Sequence, residues 1–382
     1  MEHPRNPSEA APEPPFPNPI RELTLALATL AKLGLATRCR LVAELPNWHR
    51  RPAAEAPALA AAFGVPPAAM KRAMALRPAA RERAAGIHAC ARAAQCTLLA
   101  RHDDGFPARL RHLSLPPAAL WIRGEMPCEG RATEPAVAIV GSRRATHYGL
   151  EAATFFAGHL AAAGVTVISG FARGIDTAAH RAALDAGGKT LAVLGCGVDA
   201  DYPRGSRDFA REVCRRGALV SEFPPATTPR AWHFPVRNRV IAALAQAVLV
   251  VEAAPRSGSL ITVRHALDLN RDVFAVPGRI FDEGSAGTIG LLRDGAYPAH
   301  HPRDILDALP ESPQPPRQEP VPDLPGLAGR LLVALPQGRL LTAEQLAETA
   351  GVPVEDTLAA LMELEIGGWI TRRPGPTYGR RR

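Results

Sequence analysis

Between Ala136 and Leu309 the chain repeats one pattern: a short, continuously apolar run, then an Ala-rich stretch of helical length. The runs are Ala136–Val140, Val165–Ile168, Thr190–Leu194, Ala218–Val220, Ala247–Val251 and Val273–Val276. Each is too brief for a helix, and its hydrophobicity does not alternate, so both faces of the extended chain require cover. Parallel strands wrapped by helices satisfy that requirement. An α/β core with a doubly wound, mainly parallel sheet is therefore expected.

The flanking segments differ. Residues 1–19 are Pro-rich and polar, and are expected to form a tail with little to bury. Leu23, Leu25, Leu27, Leu30 and Leu33 open an Ala-rich, β-branch-poor stretch, so residues 20–100 are expected to form a small helical domain, with the sheet domain at 101–309. Pro-rich residues 310–325 suit a linker. Beyond it, Thr342 caps one predicted helix, Gly351 ends it, Val354–Ile366 supplies a second, and a short strand follows at Trp369–Thr371. That order makes residues 326–382 resemble a winged helix.

In an open parallel sheet, ligands bind beyond the carboxyl ends of the strands. Gly141, Ser142 and Arg143 follow the first run; Ser169, Gly170, Arg173 and Gly174 follow the second; Glu252 and then Ser257, Gly258 and Ser259 follow the fifth. Glycine lets backbone amides approach a ligand, serine caps the next helix, and helix N-termini favour anions. One such tripeptide alone is more often a turn or cap; their recurrence at successive strand ends points to an anion-binding rim. Arg143, Arg173 and the Arg237-Asn238-Arg239 cluster supply guanidinium groups for phosphate, and Lys189 precedes the third run, nearer the opposite sheet edge.

The net charge of +8, with 45 Lys and Arg against 37 Asp and Glu, fits a polyanionic partner. It fits a GC-rich coding bias equally, because the only lysines are Lys32, Lys71 and Lys189. The six cysteines form no C-x-x-C, which suits a reducing compartment, and no apolar run is long enough to span a membrane. The first twenty residues lack a signal-peptide pattern, so a cytoplasmic location is expected.

Catalytic and cofactor motifs are thin. Gly195-Cys-Gly-Val-Asp-Ala200 matches G-x-G-x-x-A, but Pro203 and Gly205 interrupt the helix that a dinucleotide site requires. Asp199 and Asp201 read as capping or solvated carboxylates rather than a metal pair, and His180, His233 and His265 stand isolated. No catalytic residue, metal or cofactor is expected.

One combination of motifs is distinctive: Val140-Gly-Ser-Arg143, Ser169-Gly-Phe-Ala-Arg-Gly-Ile-Asp176, Val193-Leu-Gly-Cys-Gly-Val-Asp199 with Tyr202-Pro203, Phe234-Pro-Val-Arg-Asn-Arg239, Ser257-Gly-Ser-Leu-Ile-Thr262 and Ala275-Val-Pro-Gly278. Over roughly residues 110–310 this resembles the bacterial DNA-processing protein A family, DprA or Smf. The resemblance implies a Rossmann-like core, a helical N-terminal domain of the SAM or helix-hairpin-helix kind and a winged-helix tail. It further implies a non-enzymatic homodimer that binds and protects single-stranded DNA and loads the RecA recombinase in natural transformation. Carried over by motif, Arg143, the Ser169–Gly174 turn, Lys189, Arg237 and Arg239 would touch the strand, while Asn238 and Ser257–Ser259 shape the pocket. Phe171 reads as a base-stacking ring or a core ring.

About three to five phosphate contacts would give a slope of log K against log salt of about −2 to −3.5. Replacing Arg143 and Arg237 by Ala is expected to abolish binding with stability nearly unchanged. The alternative is a nucleotide phosphoribohydrolase of the LOG type, but its P-G-G-x-G-T is replaced by Ala254-Pro-Arg-Ser-Gly-Ser259. A duplex-reading transcription factor fits poorly, because Glu344, Glu348, Glu355, Asp356, Glu363 and Glu365 crowd the tail helices.

Overall fold

The computed structural model describes residues 18–30, 33–126, 135–309, 324, 326–335, 340–373 and 377–380. The expected tail, beyond Asn18 and Pro19, and the expected linker, beyond Leu324, lie outside these. The chain divides into two compact units, Met1–Pro313 and Gln314–Arg382.

The first unit is built on a nine-stranded sheet. In chain order its strands are β1 (Thr97–Ala100), β2 (Ala119–Gly124), β3 (Ala136–Val140), β4 (Thr166–Ser169), β5 (Thr190–Leu194), β6 (Gly217–Ser221), β7 (Ala247–Val250), β8 (Asp272–Ala275) and β9 (Tyr297–Pro298). In space the order is β1-β2-β6-β5-β4-β3-β7-β8-β9. The six expected runs are β3 to β8, and they pair in parallel throughout. Their residues are buried almost without interruption, as continuous hydrophobicity requires: β3, β4, β5, β6 and β7 are fully buried strands. Strands β1 and β2 add an antiparallel pair at one side of the sheet that was not among the six expected runs. The sheet thus begins at Thr97, ahead of the boundary expected at residue 101.

Helices cover both faces. One face carries the helices His147–Ala162 and Ile175–Asp185, whose Phe156, Leu160, Ile175 and Ala179 pack on Val137, Ile139 and Val167. The other carries His233–Leu244 and Ser259–Asp268, with Val240, Ile241, Val263 and Ala266 against Ala138, Val193 and Val248. The N-terminal helices, from Pro19–Ala28 to Ala80–Ala93, do not keep a core to themselves. Leu25, Leu41, Trp48 and Met70 belong to one buried cluster with Trp121, Phe171, Leu194, Val213 and Leu219.

The second unit has the winged-helix element order. Helix Gly326–Ala334 precedes β10 (Leu340–Thr342), helices Ala343–Ala350 and Val354–Ile366, and the paired β11 (Ile370–Arg373) and β12 (Thr377–Arg380). Thr342 and Gln345 form a capping box, and Gly351 ends that helix at φ 67°, a left-handed geometry suited to glycine. Among the described residues no helix is long and apolar enough to cross a membrane.

Candidate nucleic-acid interface

Strands β3 to β8 run in one direction, so the loops that leave their carboxyl ends share one edge of the sheet. Two of these loops are locked together. Gly174 has φ 81°, and a Cβ there would collide with the Ser142 carbonyl; with only hydrogen in that place, Ile175 N–H donates to Ser142 O at 3.2 Å. Arg143 and Arg173 therefore project from abutting loops, and both are exposed. The Arg143 guanidinium carbon lies 5.0 Å from the centroid of the half-buried Phe234 ring.

Behind this surface lies a buried layer. The Arg237 guanidinium, only 4% exposed, donates to the carbonyls of Gly170 and Val193, and its carbon lies 5.9 Å from the same Phe234 ring. A Cβ on Gly170 would lie 2.6 Å from Arg237 Nη2 and 2.7 Å from Asp176 Oδ2, so only glycine fits between them. Burial pushes the Arg237 pKa down to about 10, against the opposing pull of Asp176. Burial likewise raises the Asp176 carboxyl above the ordinary range, opposed by Arg237 and by the N–H groups of Ala172 and Gly170.

Other expected contact residues are also spent internally. Arg239 is 5% exposed and ion-paired to the buried Glu222 at 2.6 Å. Only its Nη2 is used by that pair, but Nε and Nη1 are buried as well, so the guanidinium is out of reach of phosphate and its expected DNA contact is corrected to a structural one. Arg237 is corrected in part: it braces the Gly170 turn from beneath, and its replacement by Ala would orphan two carbonyls rather than leave stability nearly unchanged. Ser169 is buried, with its hydroxyl on Ile139 O at 2.6 Å. Asn238 Nδ2 donates to Gly258 O at 3.1 Å, tying the Ser257–Ser259 turn to the Phe234 helix, and the hydroxyls of Ser257 and Ser259 lie 2.7 Å apart. Gly141 is pinned between Ile175 and Glu252 O. Lys189 stands immediately before β5, at the opposite end of the strands from Arg143 and Arg173. Phe171 is a core ring: it is buried, stacks on Phe209 at 5.4 Å and 10°, and is unavailable to a base.

The order in which strands are added across the sheet reverses between β3 and β7, the position at which a dinucleotide pyrophosphate would meet a helix N-terminus. Here Glu252 fills that position. Its carboxylate accepts the Thr146 hydroxyl at 2.7 Å and Thr146 N–H at 3.0 Å, and it crowds Gly149 so closely that a Cβ there would collide. Thr146 in turn caps the helix by accepting Gly149 N–H at 3.1 Å. The Glu252 carboxylate, set against the first turn of this helix, occupies the place where a phosphate would meet its N–H groups. Asp199 is likewise committed, accepting Ala226 N–H at 2.9 Å, and Asp201 accepts the N–H groups of Gly205 and Ser206. Among the described residues no three His, Cys, Asp or Glu side chains gather as a metal site.

Further arginines stand at the same edge of the sheet. Arg144, Arg204, Arg230 and Arg256 are also exposed and lie in loops that follow β3, β5, β6 and β7. The rule that found Arg143, a basic residue just past a strand's carboxyl end, reaches Arg144, whereas Arg204 and Arg230 sit deep in long loops that the rule does not reach. Aromatic rings at this edge were missed as well: Trp232 is 55% exposed, Phe234 lies 5.3 Å from Tyr202, and Phe223 stacks on His233 at 4.0 Å.

Residues 97–310 match the family model described as DNA recombination-mediator protein A, and residues 303–376 match the DprA winged helix domain. The chain belongs to that family. Among its DprA relatives, Protein Smf of Escherichia coli is 40% identical over 286 residues, which is 73% of this chain and 76% of the relative. DNA processing protein DprA of Bacillus subtilis is 38% identical over 206 residues, 54% of this chain and 69% of the relative. The X-ray structure of DNA processing protein A from Streptococcus pneumoniae superposes with TM-score 0.63 at 31% identity, covering 77% of this chain and 98% of that one. The DprA match does not favour the phosphoribohydrolase alternative.

Proposed function

We propose that this DprA-family protein is a non-catalytic mediator that grips the sugar-phosphate chain of unpaired DNA at the Arg143–Arg173 edge and delivers it to RecA recombinase. The observation that carries the reading is the pair of exposed guanidinium groups on interlocked loops beside the Phe234 ring, with Trp232 exposed close by in sequence. Fixed cations with nearby aromatic faces suit single strands, whose bases are free to stack without sequence preference. Arg237, Asn238 and Arg239 hold that surface in place. The carboxylates of Asp176, Asp199, Glu222 and Glu252 all serve structural partners, which supports a binder over an enzyme. The RecA partnership, the homodimer and the cytoplasmic location belong to the same proposal, and rest on the family's role in recombination.

The test is the affinity for a fluorescent oligothymidylate across a salt series. Arg143→Ala with Arg173→Ala is expected to weaken binding at least tenfold and to make the salt slope shallower by about 1.4, from roughly 0.7 per lost phosphate contact. The thermal midpoint should hold, because both side chains are exposed. A folded double variant with wild-type affinity would refute the site.

A further inference from the structure

In a winged helix, the second helix of the helix-turn-helix pair is the one placed to enter a DNA groove. Here that helix is Val354–Ile366, and its outward surface has the wrong chemistry for DNA. Its inward side, Thr357, Ala360, Leu361 and Leu364, is buried in the unit's own core. Val354, Leu358, Met362 and Ile366 face outward instead, at 37%, 46%, 65% and 80% exposure. Spaced four residues apart, they drift by about 40° per step and form one apolar stripe roughly 20 Å long. The core is complete without them, so the stripe is surplus to folding.

Charge selects the occupant. Glu355, Asp356, Glu363 and Glu365 are exposed on the same helix, Glu344 and Glu348 lie on the helix before it, and neither helix contains Lys, Arg or His. Phosphates would be repelled, and a second copy of the helix would set carboxylate against carboxylate. The geometry points to a docking surface for a cationic amphipathic helix of another protein, its apolar face on the Val354-Leu358-Met362-Ile366 stripe and its lysines or arginines on the flanking carboxylates. This is the helix-in-groove mode of recognition, read through anchors at helical spacing.

The full-length protein can be titrated with a labelled 18-residue peptide carrying leucines at helical spacing and lysines elsewhere, and with a scrambled peptide of the same composition. Preferential binding of the patterned peptide is expected. Leu358→Gln with Met362→Gln should weaken it at least tenfold without moving the thermal midpoint, and Glu363→Gln with Glu365→Gln should weaken it and flatten its salt dependence. Equal binding of the scrambled peptide, or undiminished binding by the Leu358/Met362 variant, would overturn the proposal. So would sizing that shows the wild type associating with itself through the stripe, or loss of duplex DNA binding on replacing Leu358 and Met362.

Discussion

His180 shows how a single buried side chain contributes to the pH response of the fold. Its Nδ1 lies 2.7 Å from Thr190 Oγ1, and that hydroxyl donates its own proton to Val167 O at 2.8 Å. The imidazole must therefore donate from Nδ1, which leaves Nε2 bare and without a partner in a fully buried place beside Phe171 and Phe209. Burial, with a smaller push from Arg237, lowers the His180 pKa to about 3 from its ordinary 6.5. The unfolded chain takes up the proton first, so the stabilisation is complete above pH 6.5 and is lost as pH falls toward 3. The slope approaches about 1.4 kcal/mol per pH unit. Urea unfolding at pH 7, 6 and 5 should show a shallower decline for His180→Gln than for the wild type; parallel declines would remove His180 from the account.

At the scale of an element, the helix His147–Ala162 depends on a cap that also holds Glu252 in place between β3 and β7. Thr146 accepts Gly149 N–H and donates to Glu252, so one hydroxyl satisfies a helix end and a buried carboxylate together. Thr146→Ala loses both, at a cost of about 1–2 kcal/mol from the cap, with a further penalty for the deprived carboxylate. The urea midpoint of Thr146→Ala should fall accordingly, while Thr146→Ser should recover most of the loss. An unchanged midpoint would mean that water replaces the hydroxyl. Glu252 itself was visible in the sequence only as a residue after a strand; its partner lies 106 positions away.

At the scale of the molecule, the two units predict different responses to truncation. The N-terminal helices share a core with the sheet, in which Trp48 and Met70 bury the face bearing Phe171 and Leu219. Removal of residues 1–96 should expose that face and give a chain that aggregates or fails to melt cooperatively. Removal of residues 314–382 should leave the melting transition of the larger unit within a few degrees of its original position, because that unit keeps its own contacts. Scanning calorimetry of both truncations would decide, and a stable, cooperative fragment lacking residues 1–96 would contradict the shared core.

How much was legible beforehand follows from what each kind of signal encodes. Residues 136–140 and 190–194 coincide with the observed β3 and β5, and Val354–Ile366 with the observed helix, because continuous or helical hydrophobic periodicity is a local property of the chain. The antiparallel pair β1 and β2 escaped the pattern although Ala118–Ile122 is as long an apolar run as Ala136–Val140, because it stands ahead of the strand–helix alternation that marked the others. Arg143 and Arg173 could be placed by their position after strands. Sequence alone could not separate them from Arg237 and Arg239, which sit in the same dense motif as Phe234. Exposure is decided by what folds over a residue: Glu222 and the carbonyls of Gly170 and Val193 come from distant strand ends to meet those two guanidinium groups. The chain's own order thus determined the layers, the strand direction and the edge of the sheet at which Arg143 and Arg173 stand. Only the tertiary structure decided which arginines face solvent and which are held beneath, because pairing a buried charge depends on partners that sequence distance hides.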